Sequence, residues 1–390
     1  MNGRERLLKA LKHEPTDCVP VAPFTYFNAI YEMFDYVPHL DTFFNPPDFD
    51  PVVKFVDYCD AFGFDVMHVL GTVWDMWGGD SKFDQGLSRS AENWDVHMED
   101  QRRGDDELLR TFTIRTPGGI LRQVEKHDRT SKYLVVSATQ EYLIKTPADF
   151  DILRRYAPPA DRMDTQLITR ARAATGDKGV VTACTHGSFN ILGLFRKLED
   201  VLTDPLKDEG FYREMVAYFL PCLIQRARKM VEAGADVIEV AGHWTGQVGP
   251  KTFQKYILEN ENRLAKAIHE MGALVLYHNC GDAAKIMRFY NDLEIDCWGY
   301  LTPPPFADVV LEEALAVLRP TLTLRGNIDQ VDFLMKATPQ QVREKVREVL
   351  TKVVPRGNWI LSTTDFFFDG TPYENIRAFA EAGREFGQYA

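Results

Sequence analysis

The stretch Ala273-Leu274-Val275-Leu276-Tyr277-His278-Asn279-Cys280-Gly281-Asp282 is an aliphatic run that stops abruptly at an imidazole and a thiol. A short apolar run bounded by polar residues and glycine reads as a buried strand. Side chains at i and i+2 of an extended chain point the same way, so His278 and Cys280 can reach one metal ion from a single strand end. Zinc takes three or four such ligands, so the motif offers part of a site and the remainder must come from elsewhere in the fold. A His-x-Cys pair also arises by chance, and a buried Cys is often only a small hydrophobe. The surrounding chain separates the two readings.

Outward from this stretch, strand and helix patterns alternate. Strands are predicted at Val66 to Leu70, Gly179 to Cys184, Asp236 to Ala241, Ala273 to Tyr277, Asp296 to Gly299, Thr321 to Gly326 and Asn358 to Ser362. Helices are predicted at Phe211 to Ala233, Pro250 to Met271, Leu311 to Leu318, Pro339 to Val353 and Tyr373 to Gly387, several opened by Pro and closed by Gly. This is the rhythm of a (β/α)8 TIM barrel, an α/β fold whose sites are built from the loops after the carboxyl ends of the strands. The polar residues gather at those ends: Glu239 and His243, then His278 and Cys280, then Asn327 and Asp329, then Asp365. His68 and His186 end two earlier strands and are read as hydrogen-bonded core residues.

With 390 residues and 45% hydrophobic content, the chain suffices for one barrel domain over 1–390 with an added subdomain. No apolar run approaches ~18 residues, and the start MNGRERLLKALKHE is a charged helix, predicted over Asn2 to Glu14, without a signal-peptide core. No membrane span and a cytoplasmic location are therefore expected. A net charge of -12, with no basic cluster, argues against a nucleic-acid partner. The six cysteines, at 18, 59, 184, 222, 280 and 297, lack a disulfide-like spacing and are expected as thiols. A homodimer is the default expectation for its assembly.

The first 150 residues are organised differently. Leu109 to Arg115 and Leu121 to Glu125 flank Thr116-Pro117-Gly118-Gly119, a hairpin turn, so residues from about 80 to about 145 read as an antiparallel insertion packed on the barrel. Before it comes an aromatic segment through Phe24, Tyr26 and Phe27.

Several segments together resemble the uroporphyrinogen decarboxylase superfamily. They are Asp17-Cys18-Val19-Pro20-Val21, the Thr116 to Gly119 turn, Tyr142 to Pro147, Gly234 to Glu239, His278 to Asp282, Gly326-Asn327-Ile328-Asp329 and Gly370 to Ile376. Within it the chain looks most like the corrinoid-dependent methyltransferases, and the resemblance covers essentially the whole sequence. The tetrapyrrole decarboxylases of that superfamily hold several carboxylates with an Arg-rich segment after the first strand. Here that position reads Ala22 to Ala29, without arginine.

The methyltransferase branch implies a zinc ion bound by His-x-Cys and a later Cys. His278 and Cys280 match; in the later position this chain carries Asp365. Replacing a thiolate by a carboxylate hardens zinc, which suits an oxygen ligand better than a thiol. The expectation is therefore O-demethylation: a methyl group passes from a methoxylated aromatic to the Co(I) corrinoid of a partner protein. Glu239 is the expected further ligand, with His243 as its substitute; the other reading of Glu239 is a buried carboxylate bonded to backbone or to a strand-end Arg. Asn327 and Asp329 are expected to orient the ligands or a substrate hydroxyl. Phe24, Tyr26, Trp74 and Phe366 are expected to line the ring pocket, with Phe27, Trp77, Phe367 and Phe368 as further candidates, although each could equally fill the core. A thiol methyltransferase of the coenzyme M type, a decarboxylase, for which Arg325 is the one strand-end arginine, and a non-catalytic scaffold are the alternatives.

Overall fold

Three aspartates, Asp65, Asp236 and Asp296, stand immediately before parallel strands and carry out one repeated job. Each backbone N–H donates to a carbonyl of the neighbouring chain, and each carboxylate accepts that same residue's N–H in return. Asp65 pairs this way with Val21 (2.9 and 3.0 Å), Asp236 with Val181 (2.9 and 3.0 Å) and Asp296 with Val275 (3.0 and 2.7 Å). The negative charges are met by Arg6 and Arg384 at Asp65, by Arg4 and Arg172 at Asp236, and by His269 at Asp296. Arg4 and Arg6 both lie on the first helix, α1 (Gly3–Leu11), whose Leu7, Ala10 and Leu11 are buried. The Thr323 hydroxyl donates to the carbonyl of Ala10. Thus α1 lies across the amino ends of the strands.

The computed structural model describes residues 1–43, 46–71, 87, 89–160 and 163–389. In chain order, α2 (Phe27–Met33) and α3 (Pro51–Phe62) precede β1 (Val66–Gly71). Four antiparallel strands follow, β2 (Asp95–Arg102), β3 (Glu107–Thr116), β4 (Gly119–Arg129) and β5 (Val135–Glu141). Then come α4 (Pro147–Tyr156), α5 (Gln166–Thr175), β6 (Gly179–His186), α6 (Asn190–Phe195), α7 (Leu198–Lys207), α8 (Glu209–Glu232) and β7 (Val237–Ala241). The rest alternates: α9 (Leu258–Glu270), β8 (Leu274–His278), β9 (Cys297–Gly299), α10 (Leu311–Val317), β10 (Thr323–Ile328), α11 (Pro339–Val353), β11 (Trp359–Thr363) and α12 (Tyr373–Phe386).

Seven strands form one parallel sheet in the order β1-β6-β7-β8-β9-β10-β11, and β2 to β5 form a separate antiparallel sheet. β6, β7, β9, β10 and β11 are buried along their whole length, as sheets covered on both faces require. Segment 20–22 bonds to β11 and to Asp65, the residue just before β1. Ala22 N–H donates to Leu361 of β11, Leu361 N–H to Pro20, and Asp65 N–H, just before β1, to Val21. Every predicted parallel strand is present, shifted by at most two residues at either end.

Helix α11 begins and ends as predicted because its start is locally encoded: Thr338 and Gln341 form a capping box, followed by Pro339 at the first position. The helix expected over Pro250 to Met271 is broken instead. A short turn at Pro250–Thr252 leads into a π-helical turn at Phe253–Ile257 before α9 begins. The expected insertion is the antiparallel sheet, with its predicted hairpin between β3 and β4. Its β4–β5 turn docks on the loop after β11 through Asp369. That carboxylate accepts from Tyr133 N–H (3.0 Å), the Ser131 hydroxyl and Asn28 Nδ2 (2.8 Å). No helix among the described residues is long and apolar enough to cross a membrane.

Candidate active site

Parallel register brings Ala241, His278, Gly299 and Arg325 side by side on β7, β8, β9 and β10. Glu239, lower on β7, reaches up to His278, whose Nδ1 lies 2.5 Å from Glu239 Oε1. The other oxygen of Glu239 accepts from the hydroxyl of Tyr300 at 3.2 Å, and Tyr300 accepts from Arg325 Nη1 at 2.6 Å. All four side chains are buried. Burial works against charge on His278, but Cys280 and Glu239, each by charge and by hydrogen bond, outweigh it and raise the imidazole pKa to about 10. Cys280 thus interacts with His278, and the residue is half-buried.

The loop that carries Cys280 is held from two sides. Asn279 donates to Tyr290 (2.8 Å) and accepts from Gly281 N–H (3.0 Å). Gly246 packs so closely that a Cβ there would stand 1.8 Å from the carbonyl oxygen of Asp282, so a glycine is required at that approach.

Asp365 follows β11. Its N–H donates to Gln330 Oε1 (3.1 Å) and its own carboxylate accepts from Phe366 N–H (2.8 Å). Burial raises its carboxyl pKa, His278 pulls it back and Glu239 pushes it up again, so Asp365 shares the electrostatic field of the pair. His243 also joins them, with its ring 6.0 Å from that of His278 and Asn190 Nδ2 3.2 Å from its Nε2. Burial, then the charges of His278 and His186, hold His243 well below the usual imidazole range.

Several of the aromatic residues named from the sequence lie near one another. Phe24 lies 5.9 Å from His278, 4.8 Å from Tyr300 and 6.3 Å from Phe366, and Tyr26 lies 5.3 Å from Phe366. Phe27 stacks on Tyr26 and the Phe368 ring lies tilted 5.1 Å from that of Phe366, while Phe367 is buried. Trp74 and Trp77 lie outside the described residues.

Asn327 is buried and its Oδ1 has no hydrogen-bond partner among the described residues. Asp329 is found in a different role from the one expected. Its carboxylate caps the turn Gln330–Leu334, accepting from Val331 N–H (2.8 Å) and Asp332 N–H (3.3 Å), because a chain leaving a strand into a helical turn presents unpaired N–H groups there. Sequence reasoning missed Tyr300 and Asn190. Tyr300 is the first residue after β9 and carried the same strand-end signal as His278; Asn190 opens α6 and carried none.

His68 packs away from this cluster, 4.4 Å from Phe55 of α3, with Nε2 unpartnered among the described residues. Burial, assisted by Arg172, pushes its pKa down to about 3. The unfolded imidazole titrates near ~6.5, so below that pH the unfolded chain binds the extra proton and stability falls as pH drops toward 3. We expect His68→Phe to remove about 2–3 kcal/mol of the destabilisation between pH 7 and pH 4.5. Chemical unfolding of both proteins at the two pH values measures it, and equal losses would rule out His68 as the cause.

Among the described residues no three His, Cys, Asp or Glu side chains stand close enough together to form a ready-made metal site. What fits a metal is a two-donor anchor. With Nδ1 committed to Glu239, His278 has Nε2 left for a ligand, and the Cys280 thiol stands beside it, which is the imidazole and thiolate chemistry zinc accepts.

A profile described as "Uroporphyrinogen decarboxylase (URO-D)" matches residues 135–386. The chain belongs to the uroporphyrinogen decarboxylase family. Among curated members of this and related groups, a methylated-thiol–coenzyme M methyltransferase of Methanosarcina mazei is 28% identical over 185 residues, 47% of this chain and 46% of that protein. A uroporphyrinogen decarboxylase of Gloeobacter violaceus is 25% identical over 154 residues, 39% of this chain and 42% of that one. The matches therefore span about half the length of these relatives. Among solved structures, a methyltransferase from Methanosarcina mazei superposes with a TM-score of 0.69 at 17% identity, covering 99% of both chains. A B12-independent methionine synthase from Shewanella sp. W3-18-1 gives 0.52 at 12% identity, covering 94% of this chain and 97% of that one. At such identities the likeness is one of fold.

Proposed function

We propose that this uroporphyrinogen decarboxylase family member is a corrinoid-dependent methyltransferase. It removes the methyl group of a methoxylated aromatic compound and passes it to the Co(I) corrinoid of a partner protein. The observation that carries this reading is the strand-end pair His278 and Cys280, with His278 held by Glu239 and an aromatic wall beside it. The seven parallel strands, with segment 20–22 bonded to β11 and to the residue just before β1, are read as a (β/α)8 barrel, which puts the pair at the carboxyl ends of the strands where such sites form.

His278 Nε2 and Cys280 would hold zinc, with Asp365 as the third protein ligand; Glu239, both of whose oxygens are already bonded, is read as the group that orients His278. Zinc bound there supplies a Lewis acid for the charge that develops on the ether oxygen. Phe24, Tyr26 and Phe366 hold the ring and keep water from it. Asn327 offers its unpartnered Oδ1 to a substrate hydroxyl. No side chain here is a strong enough nucleophile to displace a phenolate from methyl, which is why the acceptor is assigned to the partner's cobalt.

A second reading, methyl transfer from a methylated corrinoid to a thiol, is favoured by the similarity to the methylated-thiol–coenzyme M methyltransferase. Decarboxylation of a polycarboxylate is disfavoured by Arg325, which is fully buried and bonded to Tyr300 and to the Ala22 carbonyl.

The test is zinc content together with phenol release from methoxylated aromatics in the presence of Co(I) corrinoid. We expect one zinc per chain in the wild type, and loss of both zinc and phenol release in Cys280→Ala and Asp365→Ala. Activity only with a methylated corrinoid and 2-mercaptoethanesulfonate would select the second reading. Metal-free protein with no transfer in either direction would reject both.

A further inference from the structure

Arg325 is 0% exposed, yet no carboxylate among the described residues lies within ion-pair distance of it. Its Nη1 donates to Tyr300 at 2.6 Å, its Nη2 donates to the Ala22 carbonyl at 3.1 Å, and its Nε has no partner. The guanidinium carbon also sits 4.6 Å over the Tyr300 ring. A buried cation held this way costs desolvation unless a negative group balances it, and the nearest such group on this hydrogen-bonded path is Glu239.

The direction of every bond on the path follows from donor chemistry. A guanidinium only donates, so the Tyr300 oxygen must accept from it. The single phenolic proton is then left for Glu239 Oε2, at 3.2 Å. Glu239 Oε1 in turn can only accept, so His278 Nδ1 must be the protonated nitrogen across the 2.5 Å contact. The Tyr300 bond to one oxygen thus orients the carboxylate whose other oxygen meets His278.

The path has a second branch. Ala22 lies in the segment bonded to β11 and two residues before Phe24, whose ring packs 4.8 Å from Tyr300 and 5.9 Å from His278. Arg325 thus touches the backbone that sets the aromatic wall as well as the phenol that sets Glu239.

We propose that Tyr300 and Arg325 are positioning residues of the site. They lock the Glu239 carboxylate, hold His278 with Nδ1 protonated and Nε2 available to a metal, and tie both to the segment that carries Phe24. The metal part of this inference rests on the proposed function; the hydrogen-bond geometry does not. The competing account is that Arg325 and Tyr300 merely fill the interior, in which case their loss would lower stability and leave His278 as it was.

Metal-stripped wild type, Tyr300→Phe and Arg325→Lys distinguish the two through a pair of readouts. The first is zinc affinity, measured by competition with a chromophoric chelator. The second is the downfield proton resonance of His278 Nδ1 in metal-free protein, assigned by its absence in His278→Ala. Tyr300→Phe keeps the ring and removes only the relay, and is expected to weaken zinc binding about 10- to 100-fold and to broaden the Nδ1 resonance through exchange. Arg325→Lys keeps the charge and one donor, and is expected to do the same to a smaller degree; it also serves if the first variant folds poorly. Unchanged zinc affinity and an unchanged resonance in both variants would overturn the inference even if both melt lower. If the wild type binds no zinc, the proposed function fails while the resonance still decides: lost in Tyr300→Phe, the positioning role stands; retained, it falls.

Discussion

Replacing His278 by alanine is expected to abolish zinc binding and to lower methyl transfer at least about a thousandfold, the loss seen when a principal electrophilic group is removed. The geometry gives three reasons for so large an effect. The Nε2 donor disappears, and with it the nitrogen whose availability the Glu239 contact guarantees. Cys280 loses the partner against which it lies, so the remaining thiol stands alone on its loop. Phe24 and Tyr300, 5.9 and 4.6 Å from the lost ring, border a void that water can enter. A stability loss should accompany the functional one, because Glu239 is left buried with one oxygen unpaired. Tyr300 still satisfies the other oxygen, so we expect about 2–3 kcal/mol, below the range for a fully orphaned buried charge. Zinc content, transfer rate and chemical unfolding of the same preparation separate these effects. A variant that retains one zinc per chain and transfers at the wild-type rate would remove His278 from the site.

The part of this site that could be read from the sequence was the part that repeats along one strand. His278 and Cys280 are two residues apart, and an extended backbone carries that spacing directly into space. Helix α11 was legible for the same local reason, since Thr338, Pro339 and Gln341 encode its start within four residues. The relay from Arg325 to Glu239 was not legible, because its members come from β10, the residue after β9, and β7, and only the register of the parallel sheet brings them together. Phe24, Tyr26 and Phe366 were named individually. What joins them is the bonding of segment 20–22 to Leu361, which composition cannot reveal. Asp329 illustrates how one position carries two signals. Its position at a strand end suggested chemistry, although an Asp two residues before an unpaired N–H also signals a cap, and the cap is what the structure holds.

The amino ends of the strands should determine stability as the carboxyl ends determine chemistry, and Asp236→Ala should reveal it most clearly. Asp236 accepts two bonds from Arg4 (2.6 and 2.5 Å), one from Arg172 (2.8 Å) and one from Val181 N–H (3.0 Å). Its removal leaves two guanidiniums facing each other and a strand N–H without its side-chain acceptor, and it frees α1 from that end of the sheet. Complete loss of a buried pair costs about 3–5 kcal/mol, but the Arg4 and Arg172 side chains are 28% and 27% exposed, so solvent screening brings the expectation to about 2–4 kcal/mol. Asp236→Asn keeps an acceptor for Val181 while removing the charge, and should fall between the wild type and the alanine variant. Asp17, also paired with an α1 arginine but 37% exposed, is the control: Asp17→Ala should cost no more than about 1 kcal/mol. Chemical unfolding ranks the four proteins. If Asp236→Ala and Asp17→Ala lost equal stability, the paired bonds at the strand starts would be incidental. If instead the expected order is found while zinc affinity stays at the wild-type value in Asp236→Ala, then α1 and the aspartates hold the sheet without shaping the site at its other end.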